Sequence, residues 1–460
     1  MPNLGRIGRA ACTLLVFVWA SACMAKASSA TLLLEEPYGT MGFFTATGHA
    51  AVYLSGVCAE TPVVLRKCAP GELGSVISRY DGVHGYDWLA VPLIPYLYAV
   101  ERPEDIPLFA DPKMVNFLRD QYRRKYLEAV APDGNNGATP GGNWYELVGS
   151  AYDRAAYGFE IETSEAQDEA FIEAYNAAPN RSHFHLSYRN CADFAKDVIN
   201  FYYPRSLHRS IVADVGITTP KQMAKTLIKF SGKHSELQFS RFVIPQIPGS
   251  AARSTPVHSV VESFLKSKKY IVPTAVVNPV LAGCVLAVYE GTGAGRFDPA
   301  RKALVFNPER GLEAPVGAED RRSYQSALNH LVAEPATEAG GAREEKFGRL
   351  LRSGVPDFDA EGRPVLRIQV GAEARMVGVA GSNILANDDA GLFTQQLLEA
   401  RLHAELKRGA APKVSESDIA RDWSLLQEAR NGAYAEVATQ TRRALQSGSP
   451  RRVERAGNRP

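Results

Sequence analysis

The sequence predicts an α+β fold in which an antiparallel sheet packs against a helix that starts near residue 190, followed by a mixed, largely helical region. Residues 48–54 alternate between two faces, as a short strand does, with His49 and Tyr53 on one face and Val52 on the other. Residues 190–203 instead place apolar side chains at helical spacing. Capped helix starts recur in the first half of the chain.

The first thirty residues have the pattern of a secretory signal. A basic start precedes an uncharged stretch at residues 10–24, and small residues continue to Ala30. The apolar centre is shorter than the ~20 residues that a spanning helix needs, so the sequence predicts export and cleavage after Ala30. Residues 20–23 also resemble a lipoprotein cleavage box, and an acylated Cys23 that anchors the protein is the alternative. Either route places the protein in the periplasm or the cell envelope.

Length and composition predict several units. Beyond the signal at residues 1–30, we expect a catalytic domain at 31–250 that folds by itself, an apolar connector at 251–290 and an accessory region of unknown role at 291–460. The net charge of +2 gives no indication of a nucleic-acid partner.

Outside the signal, Cys58 and Cys68 flank a short turn. In an oxidising compartment such a pair can close a small loop as a disulfide. Two buried thiols are the alternative interpretation.

Three helix starts carry clear caps in addition to the one at residue 190. They are Asp111 before a proline, Ser164 with Gln167 three residues later, and Thr219 before a proline. Each is followed by apolar residues at helical spacing, so the sequence predicts three amphipathic helices there.

The strand predictions are less uniform. Residues 62–68 are expected to form the hairpin partner of the strand at 48–54, and residues 89–100 to form buried extended chain because two prolines interrupt them. In the last third, residues 364–370 predict a strand, and residues 392–407 and 415–445 predict helices.

Residues 270–289 form twenty positions without a charge, after three lysines. A membrane span is one interpretation. Pro273, Asn278 and Pro279 lie inside the stretch, and the lysines are on the wrong side for the orientation that export implies. A buried hairpin or a hairpin at the membrane surface is therefore favoured.

The segment that predicts chemistry is the helix starting at Asn190, a favoured capping residue. Cys191 falls in its first turn and on its apolar face, where unpaired backbone N–H groups are expected to favour the reactive thiolate. A thiol that transfers acyl groups repeatedly needs a base. His49 is the best-placed histidine because Gly48 before it leaves room for a neighbouring helix end.

Other interpretations of these residues stay open. A cysteine on an apolar helix face is commonly a packing residue. His183 and His185 share one face if they lie in a strand and could bind zinc with His49 or Cys191. No further ligands follow at the usual spacings, so we predict no metal and no cofactor. Tyr188 is a candidate oxyanion-binding or packing residue.

A Gly-His strand followed later by an Asn-Cys helix resembles the circularly permuted branch of the NlpC-like, papain-fold hydrolases, which includes the lecithin:retinol acyltransferase-like proteins. The resemblance rests on residues 47–54 and on Asn190-Cys191, and it covers roughly residues 35–230. It implies a papain-like core in which Cys191 attacks a carbonyl carbon and His49 shuttles the proton.

The same resemblance implies a third polar residue on the strand after the histidine, where it orients the imidazole. Residues 63–68 contain no acid and no histidine. Glu60, Glu72 and His84 are the candidates for this role, and a backbone carbonyl is a further one.

The sequence therefore predicts an exported thiol hydrolase that cleaves an amide bond, with a cell-wall peptide as the leading substrate. A lipid-directed acyltransferase or thioesterase of the same fold is the second hypothesis, because the apolar stretches at 89–100 and 270–289 could hold acyl chains or associate with a membrane. A non-enzymatic envelope protein with a structural Cys191 is the third.

Overall fold

The computed structural model describes residues 28–38, 47–247, 249, 251, 254–292, 296–315, 317–323, 326, 352–370 and 372–380. Within them the chain has the predicted α+β class, with one large, mostly antiparallel sheet and several helices. The predicted helices at 392–407 and 415–445 and the signal up to residue 27 lie outside the described residues.

In chain order the strands are β1 (Ser28–Glu35), β2 (His49–Leu54), β3 (Val57–Thr61), β4 (Val64–Lys67), β5 (Ser75–Ser78), β6 (Leu89–Pro92), β7 (Ala156–Thr163), β8 (Ser240–Ile244), β9 (Leu304–Asn307), β10 (Gly311–Glu313), β11 (Val355–Phe358), β12 (Pro364–Val370) and β13 (Glu373–Gly378). The helices are α1 (Leu93–Tyr98), α2 (Pro112–Tyr122), α3 (Ser150–Asp153), α4 (Glu165–Ala177), α5 (Cys191–Tyr202), α6 (Pro220–Ser231), α7 (Val260–Lys266), α8 (Lys268–Val277) and α9 (Pro279–Thr292). A π-helical turn, Arg123–Leu127, extends α2.

The large sheet has the strand order β10-β9-β8-β7-β1-β2-β5-β6. Neighbouring strands are antiparallel except β8 and β9, which run parallel. Strand β1 lies near the centre, and every residue from Ala30 to Glu35 is buried. Ala30 pairs with Leu54 and Ile161, so the predicted cleavage after Ala30 would remove the first three residues of this strand.

A hydrophobic core covers each face of the sheet. Leu33 points into one core together with residues of α1, α2 and α3. Leu32 and Leu34 point into the other, which the apolar faces of α5 and α6 complete. The alternation along β1 therefore produces three layers, with helices on both sides of the sheet.

The capped helix starts are confirmed. Asp111 accepts hydrogen bonds from two backbone N–H groups at the start of α2, Ser164 and Gln167 form a capping box at α4, and Thr219 caps α6. The strand predicted at 364–370 is β12. Residues 93–98 are helical, so the prediction of extended chain there was wrong. Pro95 is tolerated in α1 because it lies in the first turn, where the backbone N–H groups of a helix have no partner within the helix.

The predicted hairpin between residues 62–68 and the His49 strand is wrong. Strand β2 pairs with β1 and β5, while β3 and β4 form a separate two-stranded hairpin. Cys58 and Cys68 join these two short strands in a disulfide. The hairpin thus has its own covalent closure and does not supply β2 with a neighbour.

The large sheet continues past residue 250, because β9 and β10 extend it beyond β8. A three-stranded sheet of β11, β12 and β13 also packs against the core, and Leu366, Ile368 and Val379 are buried there beside α1 and α2. The predicted boundary at 250 thus divides strands and side chains that share one core.

Residues 268–292 form a helical hairpin in which α8 and α9 follow each other directly. Among the described residues, no helix combines the length and the apolar composition needed to cross a bilayer.

Candidate active site

The predicted nucleophile lies at the first position of α5. Asn190 caps the helix as expected: its side chain accepts the backbone N–H of Asp193 at 2.9 Å, and the Asp193 carboxylate accepts the backbone N–H of Asn190 at 3.3 Å. Asp193 is itself held by the Thr218 hydroxyl at 2.5 Å. Both capping residues are buried, so this double cap fixes where Cys191 lies.

The sulfur of Cys191 is a free thiol that lies against strand β2. The backbone N–H groups of Ala50 and Ala192 both donate toward it. Ala50 directly follows His49 in the chain, but the two side chains point to opposite faces of β2: Ala50 shares a core with α5, whereas the His49 ring stacks on Tyr80 of the other core. Among the described residues, the His49 ring bonds to Ser78, and no hydrogen bond joins it to the Cys191 sulfur. The Cys191 residue as a whole is partly exposed, but its thiol is buried.

His49 is buried, and its Nε2 lies 2.9 Å from Ser78 Oγ. The Ser78 hydroxyl donates to the Ala50 carbonyl oxygen, also at 2.9 Å. Because a hydroxyl has one proton, Nε2 must donate its own proton to Ser78. The other ring nitrogen, Nδ1, therefore carries the lone pair that a general base needs. Tyr80 stacks on the imidazole with a centroid distance of 5.1 Å and limits its rotation.

Gly48 is required for a different reason than predicted. It has a φ of +71°, and a Cβ there would lie 2.2 Å from the Glu35 carbonyl oxygen and 2.9 Å from the Val257 side chain. The missing side chain thus makes room for β1 and for Val257, not for the end of α5. Any other residue would push β2 away from β1 exactly where His49 begins the strand.

The protonation of the pair differs from the expected thiolate. Burial raises the pKa of Cys191 to about 11, although the Ala50 and Ala192 N–H groups lower it in part. Burial, with a further contribution from Arg154, lowers the pKa of His49 well below its usual value. At neutral pH the site therefore holds a thiol and a neutral imidazole, because the cost of desolvation exceeds the benefit of the helix N-terminus.

A buried polar cluster lies beside the histidine. Glu35, opposite His49 in the β1–β2 register, forms an ion pair with Arg154 at 2.9 Å and accepts the Tyr96 hydroxyl at 2.5 Å. Arg154 also stacks over the Tyr38 ring at 4.7 Å. Burial would lower the pKa of Arg154, but the Glu35 carboxylate raises it above its usual value.

Glu146 adds a second carboxyl group to this region. Burial raises its pKa, Arg154 opposes that effect, and the Glu35 carboxylate adds to it. Glu146 and Arg154 also act electrostatically on the Cys191 thiol, in opposite directions. One carboxyl group and one guanidinium cation therefore act on the sulfur electrostatically.

The predicted orienting residues have other partners. Glu60 and Glu72 are exposed and form ion pairs with Arg66, at 2.8 and 2.7 Å. His84 is exposed and stacks on Tyr86 with a centroid distance of 6.0 Å. Among the described residues, the group that bonds to the His49 ring is Ser78, one strand away in β5.

The other candidates also lie outside the site. Tyr188 is 62% exposed and stacks on His185 at 3.7 Å, so its hydroxyl does not face a buried oxyanion. His183 and His185 are exposed, whereas His49 is bonded to Ser78. Among the described residues, the one group with metal-ligand spacing is Cys58, Cys68 and Glu72. Its two sulfurs are bonded to each other in the disulfide.

Sequence reasoning missed Ser78 and the cluster of Glu35, Tyr96 and Arg154. Ser78 ends a strand of four buried residues, and nothing in that short segment distinguishes its hydroxyl from that of Ser75. Glu35 is recognisable in the sequence, since it is the one charged residue of an otherwise uncharged strand. A buried charge implies a buried partner, but the sequence does not say which one.

The comparisons with known proteins found no relative of this chain. The sequence matches no protein-family model, no curated protein and no solved structure. The chemistry of the site must therefore be argued from its own residues.

Proposed function

We propose that the protein is an exported thiol hydrolase with a permuted papain-like core, in which Cys191 is the nucleophile and His49 the general base. The observation that carries the proposal is the arrangement around Ala50. Its N–H donates toward the Cys191 sulfur, and its carbonyl holds Ser78, which in turn orients His49. These contacts support the proposal because they link the surroundings of the nucleophile, through Ser78, to the base, and covalent acyl transfer uses a nucleophile, a base and an orienting group.

The reaction has two steps. In the first, Nδ1 of His49 takes the thiol proton while Sγ of Cys191 bonds to the amide carbonyl carbon. The C–N bond then breaks, and His49 returns the proton to the leaving amine. In the second, His49 takes a proton from water as its oxygen attacks the thioester, and the proton goes to the departing sulfur. The net change is hydrolysis of one amide to a carboxylic acid and an amine.

The raised pKa of Cys191 and the lowered pKa of His49 favour proton transfer during attack over a stable ion pair at rest. A neutral thiol is a weak nucleophile, so its activation depends on the base. The N–H groups of Ala50 and Ala192 stabilise the negative charge that develops on sulfur. Loss of His49 should therefore slow acylation more than it would if a thiolate existed beforehand.

A cell-wall peptide is the leading substrate. The strand-before-helix order that resembles the permuted branch supports this choice, and so do the ionisable groups near the sulfur, Glu146 and Arg154. Charged walls suit a polar peptide better than an acyl chain.

The test is to trap the acyl-enzyme. The exported protein is incubated with muropeptides, and the peptide containing Cys191 is analysed by mass spectrometry for a thioester. We expect the adduct in the Cys284→Ser variant and its loss in Cys191→Ser. His49→Gln should lower turnover by at least ~100-fold, whereas His84→Gln, which changes an exposed histidine, should leave it unchanged. Full hydrolysis by Cys191→Ser would overturn the proposal.

A lipid-directed acyltransferase or thioesterase is the second candidate, and the exposed apolar hairpin of α8 and α9 favours it. The same variants distinguish it when a phospholipid or an acyl thioester replaces the muropeptide. An adduct formed only with the lipid substrate supports this candidate. No adduct with either substrate, and a large loss of stability in Cys191→Ala, support a structural cysteine.

A further inference from the structure

The hairpin of α8 and α9 exposes an apolar surface that a water-facing helix pair does not normally have. No residue of α8 is buried, and α9 exposes Leu281 and Leu286 by about half. Apolar residues occupy all sides of both helices, and the sequence has no acidic residue between Glu262 and Glu290. Helices of this kind are usually covered by a protein core or by lipid.

Exposure is greatest at the turn of the hairpin. Val276 and Val277 at the end of α8 are 78% and 84% exposed, and Val280 at the start of α9 is 74% exposed. At the opposite end, Tyr270 stacks on Phe264 of α7 with a centroid distance of 6.2 Å. The hairpin is thus attached to the protein at its base and presents its most apolar residues at its tip.

The base of the hairpin is cationic. Lys268 and Lys269 are exposed at the start of α8, whereas Lys266 is paired with the buried Glu262. The chain after α9 adds three more exposed cations, which are Arg296, Arg301 and Lys302. The same region also contains two exposed acidic residues, Glu290 and Asp298. Because α8 begins and α9 ends at the same end of the hairpin, the cations lie on the side away from the tip.

The length of the hairpin matches one leaflet. At 1.5 Å per residue, the 10 residues of α8 and the 14 residues of α9 extend about 15 and 21 Å. The hydrocarbon core of a bilayer is about 30 Å thick, so one leaflet contributes about 15 Å. The hairpin can enter one leaflet fully but cannot cross both.

We propose that α8 and α9 insert tip first into one leaflet of a bilayer that contains anionic phospholipids, with the basal lysines and arginines on the headgroup phosphates. Apolar tip, cationic base and length all fit this partner. The proposal does not depend on the chemistry at Cys191. A second copy of the chain is the competing occupant, as is a segment of this chain outside the described residues.

The exposed Cys284 of α9 offers a site for a probe. The exported protein carries Cys23→Ser, which removes the alternative lipid anchor, and Cys191→Ala, which leaves Cys284 as the reactive thiol. An environment-sensitive dye on Cys284 should shift its emission to the blue with vesicles of phosphatidylglycerol and phosphatidylcholine. Spin-labelled lipids should quench it. The shift should be several-fold weaker with phosphatidylcholine alone.

Two sets of variants separate the contributions. Val276→Asp with Val277→Asp should abolish vesicle binding, whereas Val212→Asp with Val215→Asp, the same two changes at valines 59% and 68% exposed elsewhere, should not. Lys268→Gln with Lys269→Gln should weaken binding to anionic vesicles about 30-fold and leave binding to neutral ones unchanged. Melting temperatures should stay near that of the parent protein, because all of these side chains are exposed.

Three outcomes would overturn the proposal. One is no dye shift and no co-sedimentation with anionic vesicles. Another is a blue shift that grows with protein concentration without lipid, together with a dimer in sedimentation velocity, which would identify a second copy. The third is a dye that is already shielded from aqueous iodide in the monomer, which would identify a cover from the same chain.

Discussion

Replacing Ser78 by alanine tests the hydrogen bonds that orient the candidate base. The hydroxyl accepts from His49 Nε2 and donates to the Ala50 carbonyl, both at 2.9 Å, and it is buried. Its loss leaves one buried donor and one buried acceptor without these partners. At about 1–3 kcal/mol for each such group, the free energy of unfolding should fall by about 2–6 kcal/mol.

Ser75 provides the matched control, because it is buried in the same strand and its hydroxyl accepts one hydrogen bond, from the Ala59 N–H at 2.8 Å. Ser75→Ala should therefore cost about 1–3 kcal/mol, roughly half as much. Urea unfolding followed by circular dichroism measures both. Acylation of Cys191 should slow about 10- to 100-fold in Ser78→Ala, stay near normal in Ser75→Ala, and recover in Ser78→Thr. Equal stability losses with unchanged acylation in both alanine variants would refute the orienting role.

Four further outcomes are expected. In a Cys284→Ser background, the rate of Cys191 alkylation by iodoacetamide should keep rising toward pH 11, in line with the raised pKa of the thiol; a plateau near pH 8 would contradict this. Because burial lowers the pKa of His49 in the folded protein, the unfolded chain binds a proton at this histidine first as pH falls. The free energy of unfolding should therefore fall below about pH 6.5. Urea unfolding should show a smaller fall in His49→Gln. Arg154→Met, which leaves a buried carboxylate unpaired, should cost about 3–5 kcal/mol in the same assay, and a loss below 1 kcal/mol would argue against the buried pair. N-terminal sequencing and mass spectrometry of the envelope fraction should find a start near Thr31 or an acylated Cys23, and a full-length precursor in the cytoplasm would contradict export.

The local parts of the site were predictable from the sequence. The start of α5 follows from the cap at Asn190 and from the spacing of the apolar residues after it, and both depend only on neighbours within one or two turns. His49 at the start of β2 follows from the alternation of the strand. Patterns of this kind depend only on residues close together in the sequence, and the structure has both the helix start and the strand at these positions.

The pairing of strands was not predictable in the same way. The segment after β2 looked like its partner because hairpins commonly join neighbours in the chain. In the structure the disulfide between Cys58 and Cys68 closes a hairpin of its own, and the neighbours of β2 come from before and after it. Ser78 could be recognised only once β5 was known to lie beside β2.

The protonation state of Cys191 was also not predictable from the sequence. The helix N-terminus that lowers the pKa of Cys191 is visible in the sequence, but the depth at which the sulfur is buried is not. Burial depends on how β2, α5 and the polar residues near Glu146 close around it. The larger effect therefore comes from tertiary packing, and it reverses the direction of the shift.

The surroundings of Cys191 favour the proposed nucleophile over a purely structural cysteine. A packing thiol needs only apolar contacts and gains little from N–H donors, yet this sulfur faces two of them, from Ala50 and Ala192. The carbonyl of the same Ala50 holds Ser78, and Ser78 holds His49. These contacts become available because β5 pairs with β2 only from Val52 onward, while β1 pairs with β2 along its whole length. The Ala50 backbone thereby links the surroundings of the thiol to the hydroxyl that holds the imidazole, and positioning of this kind is what the proposed catalysis needs and simple packing does not.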